Sequence, residues 1–363
     1  MGNPYGGLTL DGSSFALAPH SAAYDFGTGS FAIDVSFKCG SGVTGTLLDK
    51  SSSGVGWKVE LVAGGSVQVT LNALQVTTST TGLDNGEWHD VHMTVDRKTN
   101  FLHLFIDGVL IQTVDVSAVV GVNTSVGVTV GSFIGDVSEV RLSRRARNTT
   151  TYRRNVRQFV DDAWTVGLWH FNEGRASTHY DMSETRNDFE DSGVVAYAVG
   201  AKLASPVTIV REHTWWAIDR STTLSTYLNA IGAKKYKYRP NDPAPTEWTV
   251  GNSPALYITP GALPDLILET SAFHGVIVPL NIGGTIHSGD VSDIEYFWWA
   301  VLNAIFSRYK SNNTAGHLNF SHIQSIKSKG PSFDIEVQSD GFFSKFKDIV
   351  NIEVRQDLLS ASV

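Results

Sequence analysis

The chain has 363 residues, 42% of them hydrophobic and 18% charged. That length and composition give well-packed cores in two domains, or three, and exclude a disordered chain. A formal charge of −8 and an isoelectric point near 5.7 exclude a general nucleic-acid or membrane-surface binder.

A single cysteine, Cys39, excludes an intrachain disulfide and reads as a small buried apolar residue. The start, MGNPYGGLTLDG, has neither a basic region nor an apolar run, so no signal peptide is expected. The longest apolar helix pattern, 294–309, contains Glu295 and Arg308 and is too short to span a bilayer. These features predict a chain made and assembled in a cytoplasm. The sequons at Asn123, Asn148, Asn312 and Asn319 then carry no weight.

In chain order, strands are predicted at Leu8–Leu10, Phe31–Phe37, Trp57–Leu61, Val67–Leu71, Val91–Val95, Phe101–Ile106, Leu110–Val114, Val126–Val130 and Val137–Leu142. These runs are rich in Val, Phe, Leu and Thr, and several alternate apolar with polar residues, as a half-buried sheet requires. Asp11-Gly12 and Asn85-Gly86 are turn signals, and Asp107-Gly108 has the composition of a type I′ hairpin. Many short strands at regular spacing predict a sandwich or barrel.

Residues 144–163 change character, with Arg144, Arg145, Arg147, Arg153, Arg154 and Arg157 in a short space. With Arg141, this 141–157 stretch is a candidate contact for DNA phosphates or an acidic partner ring; the plainer reading is a solvated linker or helix face. Strand-like text returns at Thr165–Phe171. Beyond about residue 205 the pattern is mixed. Thr222–Ile231 has helical spacing, with Gly232 as its stop. A turn-rich passage holds Pro240, Pro243 and Pro245, and strands are predicted at Ala255–Thr259 and Gly275–Ile282, with Gly283-Gly284 ending the latter. Asp293–Tyr309 is the strongest helix, with a wide apolar stripe from Ile294 to Tyr309. Strands are predicted again at Leu318–Ile326, Phe333–Val337 and Ile349–Arg355.

Several segments resemble the laminin-G-like family of concanavalin A-type sandwiches. LTLDGSSFALAPHSAAYDFGTGSFAIDVSFK is similar to its opening and first core strands, and TLLDKSSSGVGWKVEL to the next pair. NGEWHDVHMTVDRKTNFLHLFIDGVLIQT is the most specific piece, with Trp88 and His89 before a core strand and Asp107-Gly108 turning a hairpin. FIGDVSEVRLSRRA resembles the closing strand. The likeness covers residues 8–147. LWHFNEGRASTHYDMSETRND (168–188) resembles a segment that normally begins such a domain. Either the domain is circularly permuted and this segment completes the same sandwich, or a degenerate second copy starts here; completion is favoured, because the text after residue 190 does not repeat the family pattern, and neighbouring termini make permutation easy. Residues 205–360 resemble, in element order, the α+β tail-terminator and neck proteins of long-tailed bacteriophages, which assemble as rings, commonly hexamers. Another α+β assembly domain of a virion is the competing reading.

The resemblance implies an antiparallel β-sandwich (concanavalin A-like jelly roll, 1–200) followed by a smaller α+β assembly domain (205–363). The expected function is a bacteriophage virion protein forming a ring at the neck or tail, with an exposed decoration or glycan-contacting module. The alternatives are a carbohydrate-binding or adhesion protein and, last, a glycan hydrolase. Glucanases of the wider fold carry an E-x-D-x-x-E pair that sets two carboxylates on one face, roughly 5 Å apart in retaining enzymes. This sequence lacks that spacing. Asp136 and Glu139 have opposite strand parity and are expected on opposite faces, so no enzyme is predicted.

The family's calcium sites make Asp25, Asp49 and Asp96 imaginable ligands, but hard cations take roughly six or more oxygens, so solvated turn carboxylates are expected and no cofactor. The histidines show no paired metal spacing, and no nucleotide-binding glycine loop is present. Trp57 and Tyr24 are the glycan-stacking candidates of the sandwich. Of the pairs Trp215-Trp216 and Trp298-Trp299, Trp298 is expected in the core and Trp299 at its edge, a candidate subunit contact. Expected partners are further copies of the chain, other virion proteins and surface glycans, with no membrane.

Overall fold

The computed structural model describes residues 6–154, 158–171, 177–193, 195–199, 214, 217, 218, 220–231, 234–237, 255–260, 265–269, 272–288, 292–310, 323–338 and 341–355. The chain falls into two compact units, the first spanning Met1–Ala204 and the second holding most of the remainder from Ser205.

The first unit is an antiparallel sandwich of two eight-stranded sheets. One sheet runs β10 (Val109–Asp115), β9 (Phe101–Ile106), β8 (His89–Asp96), β3 (Phe31–Lys38), β12 (Ile134–Ser143), β1 (Gly6–Asp11), β16 (Ala196–Val199). The other runs β14 (Thr178–His179), β15 (Phe189–Ser192), β2 (Phe15–Ala18), β11 (Val128–Gly131), β4 (Gly45–Ser52), β5 (Val55–Val62), β6 (Ser66–Leu71), β7 (Leu74–Thr77). Alternation builds the core between them. Phe31, Ile33, Val35 and Phe37 of β3 face inward, as do Val91, Met93 and Val95 of β8 and Trp57, Val59 and Leu61 of β5. Asp107 and Gly108 both have positive φ (51° and 83°) between strands paired Val109 to Ile106, as a two-residue I′ turn requires.

Strand β12 departs from simple alternation. Asp136 lies opposite Lys38 and Val137 opposite Phe37, but Glu139 lies opposite Ser36. Ser138 is therefore a bulge residue, and inward and outward positions exchange after it. Val137, Val140 and Leu142 all reach the core, while Asp136, Glu139 and Arg141 share the other face. The opposite edge of β12 is divided. Its first half pairs with β1 and its second half with β13 (Thr165–Trp169). Trp169 enters the core, edge-on to Tyr24 at 6.0 Å and against Phe189 at 4.5 Å. Strands β13 and β16 thus belong to the first sheet and β14 and β15 to the second.

The second unit is α+β. Its seven strands are β17 (Lys234–Lys237), β18 (Ala255–Pro260), β19 (Asp265–Glu269), β20 (Ala272–Ser288), β21 (Ile323–Ser328), β22 (Ser332–Gln338) and β23 (Gly341–Arg355). Its centre is the long antiparallel pair β20 and β23, in register from Gly275–Arg355 to Ser288–Phe342. Helix α1 (Thr222–Ala230) and helix α2 (Ser292–Lys310) pack together, and α2 lies on this pair. Gly283-Gly284 does not end a strand; both residues sit inside β20. A Cβ on Gly284 would lie 2.5 Å from the Phe346 ring and 2.7 Å from the Phe297 ring, so glycine there admits the helix. Trp215, Trp216, Gly232, the Pro240–Pro245 passage and the 318–322 part of the predicted strand lie outside the described residues.

Trp169→Ala should cost about 3–5 kcal/mol, the usual effect of truncating a buried aromatic. Urea denaturation of the intact chain measures it through the transition midpoint of the first unit. A change below about 1 kcal/mol would contradict the packing of β13 into the core.

Candidate functional site

The face of the first sheet turned away from the core carries a buried polar layer. Asp34 and Ser36 of β3, Asp90, His92 and Thr94 of β8, and Glu139, Arg141 and Ser143 of β12 lie on it, all buried. Alternation supplies these positions, and in the sequence they read as the solvent side of a half-buried sheet. They are covered because residues 144–154 and 158–164 return over them as a strap between β12 and β13. The Tyr152 N–H donates to Gly108 O at 2.9 Å, and the Tyr152 ring meets His92 at 5.7 Å and Phe105 at 5.4 Å. Phe159 lies beneath the Arg141 guanidinium, 3.8 Å from ring centroid to Cζ. Asp34, Ser36, Asp90, His92, Tyr152 and Phe159 line a small pocket here.

Charge is matched pair by pair. Asp34 accepts from Arg141 Nε at 2.9 Å and lies 2.7 Å from His92 Nδ1. Burial alone would raise its pKa, but Arg141 and His92 hold it well below the ordinary carboxylate range. Asp90 accepts from Ser36 Oγ at 2.5 Å and from Arg154 Nε at 2.9 Å. Arg154 also donates to Trp88 O at 2.8 Å and lies 3.3 Å from Asp107. Glu139 Oε1 accepts from the Phe159 N–H at 2.7 Å and lies 2.8 Å from His170 Nδ1. Arg147 makes a bidentate pair with Asp162 at 2.9 and 3.0 Å. Burial again opposes ionisation of Asp162, and the Arg147 contact holds its carboxyl well below the usual range.

These contacts correct the basic-stripe expectation. Arg141, Arg147 and Arg154 are anchors within the first unit, each facing a carboxylate, so these three do not form a solvent-facing stripe. Arg144 donates from Nη2 to the carbonyls of Ala22 and Ala23 at 3.0 and 2.8 Å. Arg145 lies over the Trp164 ring at 5.5 Å. Arg153 is exposed, and Arg157 lies outside the described residues. The sequence reading does not single out Trp164; its signal is an aromatic one residue beyond the acidic turn Asp161-Asp162, after Ala163.

Trp57 and Tyr24 are not stacking platforms. Both are fully buried, because strand parity turns Trp57 into the core and Tyr24 packs under Trp169. The Tyr24 hydroxyl donates to Asp181 at 3.3 Å. Asp25 faces Lys50 at 3.2 Å, Asp49 accepts from Ser51 at 2.6 Å, and Asp96 accepts from the Lys98 N–H at 3.0 Å. Among the described residues no group of three or more His, Cys, Asp or Glu side chains is placed to hold a metal. Cys39 is buried, and burial, with Asp84, pushes its thiol up to about 11. Trp298 donates to Asp348 Oδ2 at 3.0 Å, while Trp299 stands 59% exposed on α2.

The parity expectation for Asp136 and Glu139 also fails. The bulge at Ser138 brings both onto one face. Asp136 is nonetheless paired with Lys38 at 2.8 Å and accepts from Thr9 Oγ1 at 2.7 Å, and Glu139 is fully buried.

Residues 11–151 match the model of the concanavalin A-like lectin/glucanases superfamily, laminin-G type. The first unit carries a concanavalin A-like domain. The concanavalin A-like sandwich is similar to a Bacteroides ovatus protein held to be carbohydrate binding, at 15% identity and TM-score 0.46, covering 55% of this chain and 60% of that one. It is also similar to domains LG4-5 of the mouse laminin alpha1 chain, at 21% identity and TM-score 0.32, covering 40% of this chain and 44% of that one. A third likeness is to the CBM40 of a Ruminococcus gnavus IT-sialidase, at 16% identity and TM-score 0.32, covering 39% of this chain and 92% of that one. The chain thus spans less than two thirds of the first two. No curated protein matches it. The tail-terminator likeness of the second unit finds no support in these comparisons.

Two outcomes follow from the strap. Arg147→Ala should destabilise the first unit by about 3–5 kcal/mol, because it leaves Asp162 uncompensated. Exposed Arg153→Ala should stay within about 0.5 kcal/mol. Chemical denaturation of both variants distinguishes an anchoring arginine from a solvated one. Asp34 and Asp162 have folded pKa values below the ordinary value of about 3.9, so their contribution is complete above about pH 4 and is lost as pH falls further. The Arg147→Ala variant should therefore lose part of the acid dependence of stability below about pH 4, read from thermal midpoints across a pH series.

Proposed function

We propose that the first unit is a lectin-like, saccharide-binding module without hydrolytic chemistry. The concanavalin A-like superfamily matched by residues 11–151 joins two activities, binding and hydrolysis. The fate of the two carboxylates on β12 favours the first. A glycosidase requires a pair of carboxyl groups on either side of a bound glycosidic linkage, one to protonate the leaving oxygen and one to attack or activate water. Asp136 is tied to Lys38 and Thr9, and Glu139 lies fully buried beneath the strap, held by the Phe159 N–H and His170. Substrate has no path to that pair while the strap is in place. The remaining carboxylates of the layer are engaged as well, Asp34 by Arg141 of β12 and Asp90 by Arg154 of the strap. What the sandwich offers a sugar is its outer surface.

The expected result is saturable binding of the intact chain to members of a glycan array, with no reducing ends released from the same glycans. Released reducing ends that disappear in Glu139→Gln would replace this reading with a hydrolase. Absence of binding across neutral and acidic glycans alike would refute it.

A further inference from the structure

We propose that Trp164, Arg145 and Arg144 form a subsite for an anionic saccharide, carboxylated or sulfated, at the neck of the strap. The inference rests on the saccharide-binding reading and names the ligand class and the place.

The neck is where the strap leaves and rejoins the sheet. The Arg144 N–H donates to Trp164 O at 2.8 Å, which ties the two ends together. The Trp164 N–H donates to Asp162 Oδ1 at 3.0 Å, and Asp162 is clamped by Arg147. The backbone under the corner is therefore fixed from both sides. On it, Trp164 stands 49% exposed, a large apolar ring open to solvent beside a guanidinium. Arg145 lies over that ring at 5.5 Å, and its Nε–H donates to Ala146 O at 3.2 Å. Its four Nη hydrogens remain available for a carboxylate or sulfate, in the fork geometry that suits both. Stacking on the indole pre-positions the guanidinium, so less side-chain entropy is lost when an anion binds.

Charge selects the ligand. Arg141, Arg147 and Arg154 each face a carboxylate. Arg144 donates side-chain hydrogens to two neutral carbonyls, and Arg145 to one, so among the described residues neither charge is paired with a carboxylate. The one carboxylate bonded to this corner, Asp162, is already doubly bonded to Arg147. A net-acidic chain thus carries two uncompensated cations beside an exposed indole. An inorganic anion or a duplex phosphate backbone would use the cations and leave the ring idle, and the net-acidic chain disfavours a single strand. A sugar ring with an acidic substituent uses both, its C–H face on the indole and its anion on Arg145.

The test is calorimetric titration of the intact chain with three oligosaccharide series, neutral, uronate-containing and sulfated, and with a single-stranded oligonucleotide. The acidic sugars should bind more tightly than the neutral ones and weaken with salt. Arg145→Ala and Trp164→Ala should each weaken acidic-sugar binding by about tenfold or more, as loss of a charge-assisted contact does. Trp164→Phe should retain most of it, and Arg153→Ala all of it; circular dichroism checks that each exposed-site variant folds. Uronate and sulfate arms distinguish the two sources of charge. Binding of neutral sugars that ignores Arg145→Ala and Trp164→Ala would overturn this subsite and leave the saccharide reading standing. Binding of the oligonucleotide in preference to every sugar would make the corner a phosphate contact and overturn it too. No binding to any sugar series would overturn both.

Discussion

One extra residue in one strand governs the first unit. Ser138 bulges from β12, and every side chain beyond it changes face. Without the bulge, with Ser138 paired as an ordinary ladder residue, Glu139 and Arg141 would point into the core, and Val140 and Leu142 would point out. With it, the core receives Val137, Val140 and Leu142, and the far face receives the charges that hold the strap. The same strand gives one edge to β3 and shares the other between β1 and β13. Core, strap and the closing strand β13 therefore all depend on where β12 breaks its alternation.

The polar layer under the strap needs a physical reason, because burying ion pairs is expensive and apolar replacements are often as stable. Register supplies one. A sheet apolar on both faces tolerates a one-residue slip, since either set of side chains finds an apolar surface. Asp34, Ser36, Asp90, His92 and Arg141 make the two faces of the central strands chemically different. A slip would put Asp34 and Asp90 against the opposite sheet. The strap then has to offer polar groups to match the layer, as Arg154 does to Asp90 and the Phe159 N–H to Glu139. Tyr152 and Phe159 exclude water from the pairs and so strengthen them, and Phe159 also supplies the N–H that holds Glu139.

Much of the sandwich was legible in the sequence because alternation is a local signal. The Phe31–Phe37 and Val91–Val95 runs and the Asp107-Gly108 turn each declare themselves within a few residues. The bulge was legible in principle: apolar residues at 137, 140 and 142 cannot share a face without an inserted residue. The anchoring of the arginines was not, because Arg141 meets Asp34 and Arg154 meets Asp90 across 107 and 64 residues of sequence. Composition reports a cluster of positive charge and says nothing about which carboxylate cancels it. The burial of Trp57 and Tyr24 followed from parity and a packing partner, Trp169, that lies more than a hundred residues away from either. In the second unit the helices were readable from their period, but Gly283-Gly284 was not. A glycine pair marks a strand end as often as a close approach, and only the rings of Phe297 and Phe346 decide it.

The strap also explains why a ligand surface would gather at its neck rather than over the sheet. Over the sheet, Arg154 and the Phe159 N–H of the strap are engaged by Asp90 and Glu139 of the layer below. At the neck the two chain ends are tied to each other through Arg144 N–H to Trp164 O, so closing it does not call on the Arg145 and Trp164 side chains. Arg145 and Trp164 are free to face solvent on a backbone that the Arg147–Asp162 clamp keeps still. Rigidity beneath and unused hydrogen-bonding capacity above are the two properties that lower the entropic cost of binding. The contacts that close the sheet face are thus the same ones that prepare the corner beside it.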